Sequence, residues 1–416
     1  MYIEDAGTTW AGTHTFRAKR LYIPRSIDEA ADVIASHDRV RAVGTRHSFN
    51  DIADGDVMIS LAGLEPDFRL DDDTATVSFS SATKYATLAA WLEEHGWALQ
   101  NMGSLPHISV AGASATGTHG SGDTNPVLAE AVAAVSLITA DGDILEFDRA
   151  HPDFPGIVLS IGALGVIGRI TLDIQPSYDL RQDVYHGLPW ESLDELDSVM
   201  AAGYSVSLFT TWDEPSISRV LVKTKIEPHQ QIAADLFGAR LLSIGAPELK
   251  ALGENRTQHG GVPGPWLERL PHFRHDATPS NGDEIQSEYF VSRADGAAAI
   301  AGLRELASDI APHLIATEIR SVAADELWLS MAYRQPSLGI HFTWLNRPDA
   351  VASLLPRIEA ALAPFRARPH WGKTFTMRGE PVTNLYPRFD DFQALRARLD
   401  PTGKFTNDYL QRTLGG

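Results

Sequence analysis

Between Ser109 and Gly122 the chain reads Ser-Val-Ala-Gly-Ala-Ser-Ala-Thr-Gly-Thr-His-Gly-Ser-Gly, fourteen positions with one side chain larger than valine. Side chains this small bury too little apolar surface to build a core of their own. They do let backbone approach whatever lies against it. The run is therefore either a crowded packing site or a bed for a large flat ligand. A second segment bears on the choice. Val40-Arg41-Ala42-Val43-Gly44-Thr45-Arg46-His47-Ser48-Phe49-Asn50 reads as a buried strand ending in glycine, followed by a loop of Thr, Arg, His and Ser. Successive backbone N–H groups in such a turn form an anion-binding nest, with hydroxyl and guanidinium donors beside it. Two such segments in one region favour a phosphate-bearing cofactor.

The surrounding pattern is mixed α and β. Ser26-Ile27-Asp28-Glu29 reads as a capping box, with Ala30, Ile34 and Ala35 at helical spacing behind it. Val40 to Val43, Val57 to Leu61 and Thr76 to Ser80 read as strands. Tyr85 to Glu94 is an amphipathic helix with Leu88 and Leu92 on one face, stopped by Gly96. Val132 to Thr139 and Ile144 to Phe147 flank Asp141-Gly142, a hairpin signal. Beyond about residue 180, helices at Ala294 to Ile310 and Ala350 to Ala363 alternate with strand-like runs at Ser205 to Thr211, Arg219 to Ile226, Thr317 to Val322 and Gly339 to Trp344. A chain of 416 residues has room for two to three domains. The division expected is 1–175 for the cofactor, 176–370 for the substrate, and 371–416 returning to the first.

Composition removes whole classes of chemistry. With no cysteine, disulfides, thiolate metal sites, cysteine nucleophiles and a flavin–cysteinyl bond are all excluded. A net charge of −19 argues against nucleic acid or an anionic membrane surface as partner. The longest apolar runs, such as Ile157 to Gly168, fall short of the roughly 20 residues that cross a bilayer. The acidic start, Met1 to Asp5, lacks the basic opening and apolar stretch of a secretory signal, so the expected location is cytoplasmic. Rossmann, Walker, H-E-x-x-H and G-x-S-x-G signatures are absent. His272 and His275 are the nearest approach to metal-ligand spacing, and no metal site is expected.

Two further segments carry polar side chains in a telling pattern. In Thr317-Glu318-Ile319-Arg320 and Ile340-His341-Phe342-Thr343-Trp344, strand periodicity puts Glu318 with Arg320, and His341 with Thr343, on one face. If the strands share a sheet in register, four hydrogen-bonding side chains line one wall. A solvated sheet face with an ordinary Glu–Arg pair fits the spacing equally. His370-Trp371-Gly372-Lys373 sets a lysine in an aromatic, Gly-containing segment, where an ordinary surface lysine is the alternative.

Together these segments resemble the vanillyl-alcohol-oxidase-type FAD flavoproteins, and within them the sugar-alcohol (alditol) and sugar-lactone oxidases, over essentially the whole chain. Gly44-Thr45-Arg46-His47-Ser48 is similar to their FAD pyrophosphate loop, Ser109 to Gly122 to the second cofactor segment, and Gly162 to Ile170 to the stretch beside the adenine. Gly103-Ser104-Leu105-Pro106-His107-Ile108 resembles the sugar-alcohol branch. The Glu318-x-Arg320 strand, the Lys373 segment and the tail from Asp400 to Leu410 resemble the aldonolactone-oxidase-type C-terminal part. The resemblance implies an α+β fold: a two-part FAD-binding domain and a substrate ("cap") domain on a largely antiparallel sheet with flanking helices. It implies FAD attached covalently through His47 (8α-histidyl) and contacted by Gly44, Thr45, Arg46, Ser48, Ser104, Ser109, Gly112, Thr116, Gly117, Thr118, His119 and Ile167. Ser104, Glu318, Arg320, His341, Thr343 and Lys373 would contact a polyol. Among them Arg320 and Lys373 would face the forming alkoxide, His341 or a neighbour would act as base, and Glu318 would orient Arg320. The implied reaction oxidises the C1 hydroxyl of an open-chain sugar alcohol such as xylitol or sorbitol to the aldose. Hydride passes to flavin N5, and O2 returns as hydrogen peroxide. The alternative within the family is a sugar aldonolactone oxidase or dehydrogenase. The expected partners are the polyol and O2, with no nucleic acid or membrane, and the chain a monomer.

Overall fold

The computed structural model describes residues 1–228, 232–277 and 282–415. Strand β1 (Arg20–Tyr22) leads into helix α1 (Ile27–Ala35), followed by β2 (Arg41–Ala42) and β3 (Val57–Ile59). Ser26 caps α1 by accepting the Glu29 N–H at 3.1 Å, while Glu29 accepts from the Arg25 N–H at 2.7 Å. The return bond of the capping box thus falls one residue early. β3 runs parallel to β1 on one side and β2 on the other, with Tyr2–Ile3 antiparallel at the outer edge. The strand expected at Val40 to Val43 is only two paired residues long, because the chain turns away towards Gly44. The one expected at Val57 to Leu61 ends at Ile59, where Ser60 caps a short 3₁₀ turn, Leu61–Gly63.

A second, antiparallel sheet contains β4 (Thr76–Ser80), β5 (Val132–Ile138), β6 (Ile144–Asp148) and β7 (Val166–Asp173), in the order β4, β7, β5, β6, with Arg69–Asp71 outside β4. The Asp141-Gly142 turn joins β5 to β6. Helix α2 (Tyr85–Glu94) buries Tyr85, Leu88, Ala89 and Leu92. The small-residue run is not open ribbon throughout: its first half is helix α3 (Val110–Thr116). Alanine and serine tolerate the helix, and Gly117 ends it in the left-handed conformation at φ 73°.

The third sheet is the largest and antiparallel throughout. Its long strands are β8 (Asp179–Pro189), β9 (Ser205–Thr210), β10 (Ser216–Lys225), β11 (Glu284–Ser292), β12 (Leu314–Val322) and β13 (Ser337–Leu345). They lie in the order β8, β10, β9, β12, β13, β11, flanked by shorter strands at both edges. One face is covered by α4 (Gly296–Arg304) and α5 (Pro348–Leu362), which bury Ile300, Leu303, Leu355 and Ile358 against Leu208, Ile319, Ile340 and Phe342. The alternation seen in β12 and β13 follows: apolar residues face the helices, polar ones the opposite side. The single helix expected from Ala294 to Ile310 is broken. α4 stops at Arg304, where the Leu306 N–H bonds the Leu303 carbonyl at 3.0 Å, and a new turn starts at Ala307.

Helices α6 (Phe389–Leu399) and α7 (Asp408–Leu414) close the described chain. The segment between them packs on the first region. The Val40 N–H bonds the Lys404 carbonyl at 3.0 Å, the Asn407 amide donates to Asp54 O at 2.8 Å, and Phe405 is buried beside Ala30, Ile34 and Val40. The architecture is α+β, and no helix among the described residues is long and apolar enough to cross a membrane.

Candidate active site

A cavity of about 510 Å³ opens between the small-residue segments and the polar face of the large sheet. The loop after β2 supplies Gly44 to Asn50 and α3 supplies Ser109, Gly112 and Thr116; Ile167 of β7 joins them. The two segments are fastened together, the Ser109 N–H donating to Thr45 Oγ1 at 3.1 Å. A Cβ added to Gly44 would collide with Ser109 Oγ, which would have to move to admit it. Beneath the loop, buried Arg41 donates to the carbonyls of Gly162 (2.7 Å), Phe405 (2.6 Å), Ile161 (3.1 Å) and Ile52. It holds β2 to two distant segments.

His47 stacks on Trp10 with ring centroids 5.2 Å apart, and its Nδ1 is buried with no hydrogen-bond partner among the described residues. Burial, helped by the charges of His107 and Lys373, lowers it to about 4, leaving the imidazole neutral at pH 7. A neutral imidazole with an orphaned nitrogen, beside a bed stripped of side chains and rich in N–H and hydroxyl donors, fits a flavin dinucleotide. Thr45, Arg46, Ser48, Ser104, Thr118 and His119 also line the cavity. Gly117 does not. It lies behind α3, where an added Cβ would meet Met331 at 2.8 Å. There it caps the helix, between Thr116 and Thr118, which do line the cavity.

The opposite wall is built by register. Glu318 on β12 pairs with His341 on β13, and His341 pairs with Glu288 on β11. On the other side Glu318 pairs with Phe209 on β9, and Phe209 with Arg219 on β10. The wall is buried, so the solvated-face alternative does not hold: Glu318 is 8% exposed and Arg320 6%. Arg320 donates to Glu288 at 2.7 Å and approaches Ser104 Oγ at 3.5 Å and His119 Nε2 at 3.4 Å. His119, expected in the cofactor segment, lines the cavity and turns its Nε2 to Glu288 at 3.0 Å. His341 Nε2 meets Thr343 Oγ1 at 3.2 Å, and its Nδ1 lies 3.4 Å from Glu288.

Glu288 carried no signal in the sequence, and His272 stood out only for its spacing from His275. Glu288 lies in a strand the periodicity did not reveal, yet three groups converge on it. Burial alone would raise its pKa, but His119, Arg320 and His341 hold it well below the usual carboxylate range. Glu318 is likewise held low, by Arg320 and by His272 at 2.7 Å. Behind it, Lys223 faces His272 Nδ1 at 3.1 Å. An ionised Glu318 can only accept, so His272 Nε2 carries the N–H that donates to it and Nδ1 accepts from Lys223. Burial lowers His341 as well, with Lys373 and Arg320 adding to the effect.

Lys373 joins this wall rather than the surface. Its ammonium donates to Gln286 Oε1 and lies 4.9 Å from the Phe49 ring centroid. Burial lowers it to about 8. Its segment is tied directly to the cofactor loop: the Asn50 side chain donates to the carbonyls of Trp371 and Lys373, both at 2.8 Å.

Two families match different parts of the chain. Residues 18–148 match the FAD binding domain family, and residues 280–413 match D-arabinono-1,4-lactone oxidase. The chain is 44% identical to an alditol oxidase of Streptomyces sp. over 419 residues, covering all of both chains. It is 30% identical to an L-gulono-1,4-lactone dehydrogenase of Mycobacterium tuberculosis, covering 98% of this chain and 99% of that one. A solvent-stable cholesterol oxidase superposes with a TM-score of 0.79 at 15% identity, covering 99% of this chain and 97% of that one, which speaks for the fold. The chain belongs to the vanillyl-alcohol-oxidase-type FAD flavoproteins, in the branch of alditol and aldonolactone oxidoreductases that carry an aldonolactone-oxidase-type C-terminal part.

Proposed function

We propose that this chain oxidises the terminal hydroxyl of open-chain polyols such as xylitol and sorbitol, with FAD as cofactor and O2 as final acceptor, giving the aldose and hydrogen peroxide. The observation that carries the reading is the buried wall in which two cations, Arg320 and Lys373, flank a neutral imidazole, His341, among carboxylates that are themselves hydrogen-bonded. An uncharged, densely hydroxylated substrate needs side chains that both donate and accept, and Ser104, Glu318, His341 and Thr343 supply them. The 44% identity to an alditol oxidase, against 30% to a lactone dehydrogenase, favours the open-chain substrate.

FAD, when bound, supplies the two-electron acceptor for the hydrogen on the substrate carbon and returns those electrons to O2. Gly44 to Ser48, Ser109, Gly112, Thr116 and Ile167 would hold it, with His47 as the point of covalent attachment. The chain's own part is proton and charge management. His341 accepts the hydroxyl proton, and Glu288 beside it steadies the imidazolium that forms. Arg320 and Lys373 stabilise the alkoxide character that develops on the oxygen. Glu318 fixes hydroxyls and the Arg320 guanidinium, and the β12–β13 wall keeps water from the reacting carbon.

Anaerobic xylitol should bleach the visible flavin band of the purified protein, and air should restore it with release of peroxide. An aldonolactone that bleaches the band while xylitol and sorbitol do not would replace this reading with the lactone one. Flavin fluorescence that survives denaturing electrophoresis in the native chain and vanishes in His47→Ala would establish the tether; free flavin in the denatured native protein would exclude it.

A further inference from the structure

The row of the sheet that carries the candidate catalytic groups continues past Glu318. Register sets Glu288, His341, Glu318, Phe209 and Arg219 side by side across five strands. Arg219 therefore lies on the same face two strands, about 10 Å, beyond Glu318. Both Arg219 and Arg256 line the cavity. The Arg219 guanidinium rests on the Phe209 ring at 4.3 Å and that of Arg256 on the Phe273 ring at 4.2 Å. Phe273 is itself anchored, its N–H bonded to the Ser104 carbonyl at 3.1 Å.

Neither guanidinium meets a carboxylate at ion-pair distance among the described residues, and Nε of Arg219 is buried without a partner. Other arginines of this chain do meet a carboxylate: Arg181 meets Asp183 at 2.7 Å, Arg293 meets Asp197 at 2.8 Å and Arg320 meets Glu288 at 2.7 Å. Glu318 is engaged by His272 and Arg320, while Glu214 and Glu284 attract the pair only through space. Burial lowers Arg219 to about 10, with the charge of Arg256 adding to the effect, and it stays protonated at neutral pH. Two like charges stacked on aromatic faces, without a carboxylate partner among the described residues, are arranged for an anion that arrives from outside.

We propose that Arg219 and Arg256 form an anion subsite at the far end of the substrate cavity, and that the preferred polyols carry a phosphate or carboxylate at the terminus remote from the carbon oxidised. This inference rests on the polyol reading above and narrows its substrate class. Planar guanidinium edges match either oxyanion in bidentate fashion, and the distance along the row separates that end from His341 and Lys373.

The test uses the holoenzyme and three substrates: sorbitol, sorbitol 6-phosphate and gluconate, followed by peroxide release. The expected result is a kcat/KM for at least one anionic substrate about tenfold or more above that for sorbitol. Arg219→Gln and Arg256→Gln, each checked for flavin content, should each lower that ratio by about tenfold. Sorbitol oxidised as well as both anions by the native enzyme overturns the subsite and leaves the polyol reading standing, whatever the variants do. So does a preference that both variants retain. If none of the three is oxidised, the polyol reading fails and takes this inference with it.

Discussion

A carboxylate with 2% exposure, such as Glu288, stays ionised only if its neighbours replace the water it has lost. Here Arg320, His119 and His341 do so, and the dependence runs both ways, because Glu288 is the closest counter-charge to Arg320. Glu288→Gln keeps the shape and removes the charge. The flavin-reduction rate with xylitol should fall about 100-fold while flavin content holds, if Arg320 has the role proposed for it, since a buried guanidinium without its partner loses its orientation. Unchanged reduction would reduce Glu288 to a packing residue. Lys373 gives a pH signature. Its pKa of about 8 lies below the ordinary lysine value because burial penalises the cation. If the ammonium is what stabilises the alkoxide, it is present below about pH 8 and lost above, so kcat/KM declines as pH rises through that value. Lys373→Met should abolish that alkaline limb and slow reduction about 100-fold, read by stopped flow. These roles were only partly legible. Glu318, Arg320, His341 and Thr343 announce themselves by alternation in two strongly apolar strands. Glu288 sits in Glu284–Ser292, where polar and small residues on both faces blur the period, and His272 lies in a loop with no period at all.

At the scale of elements, the cofactor bed depends on two segments fitting without side chains between them. Gly44 faces Ser109 Oγ so closely that a methyl group there would displace the hydroxyl. Gly44→Ala should push the loop off α3 at a cost of about 1–3 kcal/mol and release FAD, measured as flavin retained after gel filtration. Adding Ser109→Ala removes the colliding oxygen and should recover part of the flavin; no recovery would mean the loop moves for another reason. The sequence marked both segments by composition. It did not reveal that half of the second is helix, since Ala and Ser support helix and turn alike. Elements set by local chemistry, such as α1 behind Ser26 and the β5–β6 hairpin, were readable to within a residue or two. The break after α4 was not, because Leu303, Leu306 and Ile310 keep a helical spacing across it.

Across the whole molecule, one buried arginine ties together parts of the chain more than three hundred residues apart. Arg41 bonds four carbonyls, of Ile52, Ile161, Gly162 and Phe405, so β2, the turn before β7 and the C-terminal tail share one clamp. Arg41→Met should leave those carbonyls short of a donor and cost about 3–5 kcal/mol, seen as a lower urea midpoint with flavin lost early in the transition. A midpoint within experimental error of the native one would show that water replaces the guanidinium freely. By itself the sequence determined which segments are small, which strands are two-faced and that no thiol chemistry is possible, because these depend on residue type and local period. Only the tertiary structure decided that Glu318 stands opposite His341, that Glu288 and His272 complete the wall, and that Arg219 lies at its end. Strand order and register between distant segments are fixed by how the apolar faces pack under α4 and α5, and nothing in the local sequence encodes that pairing.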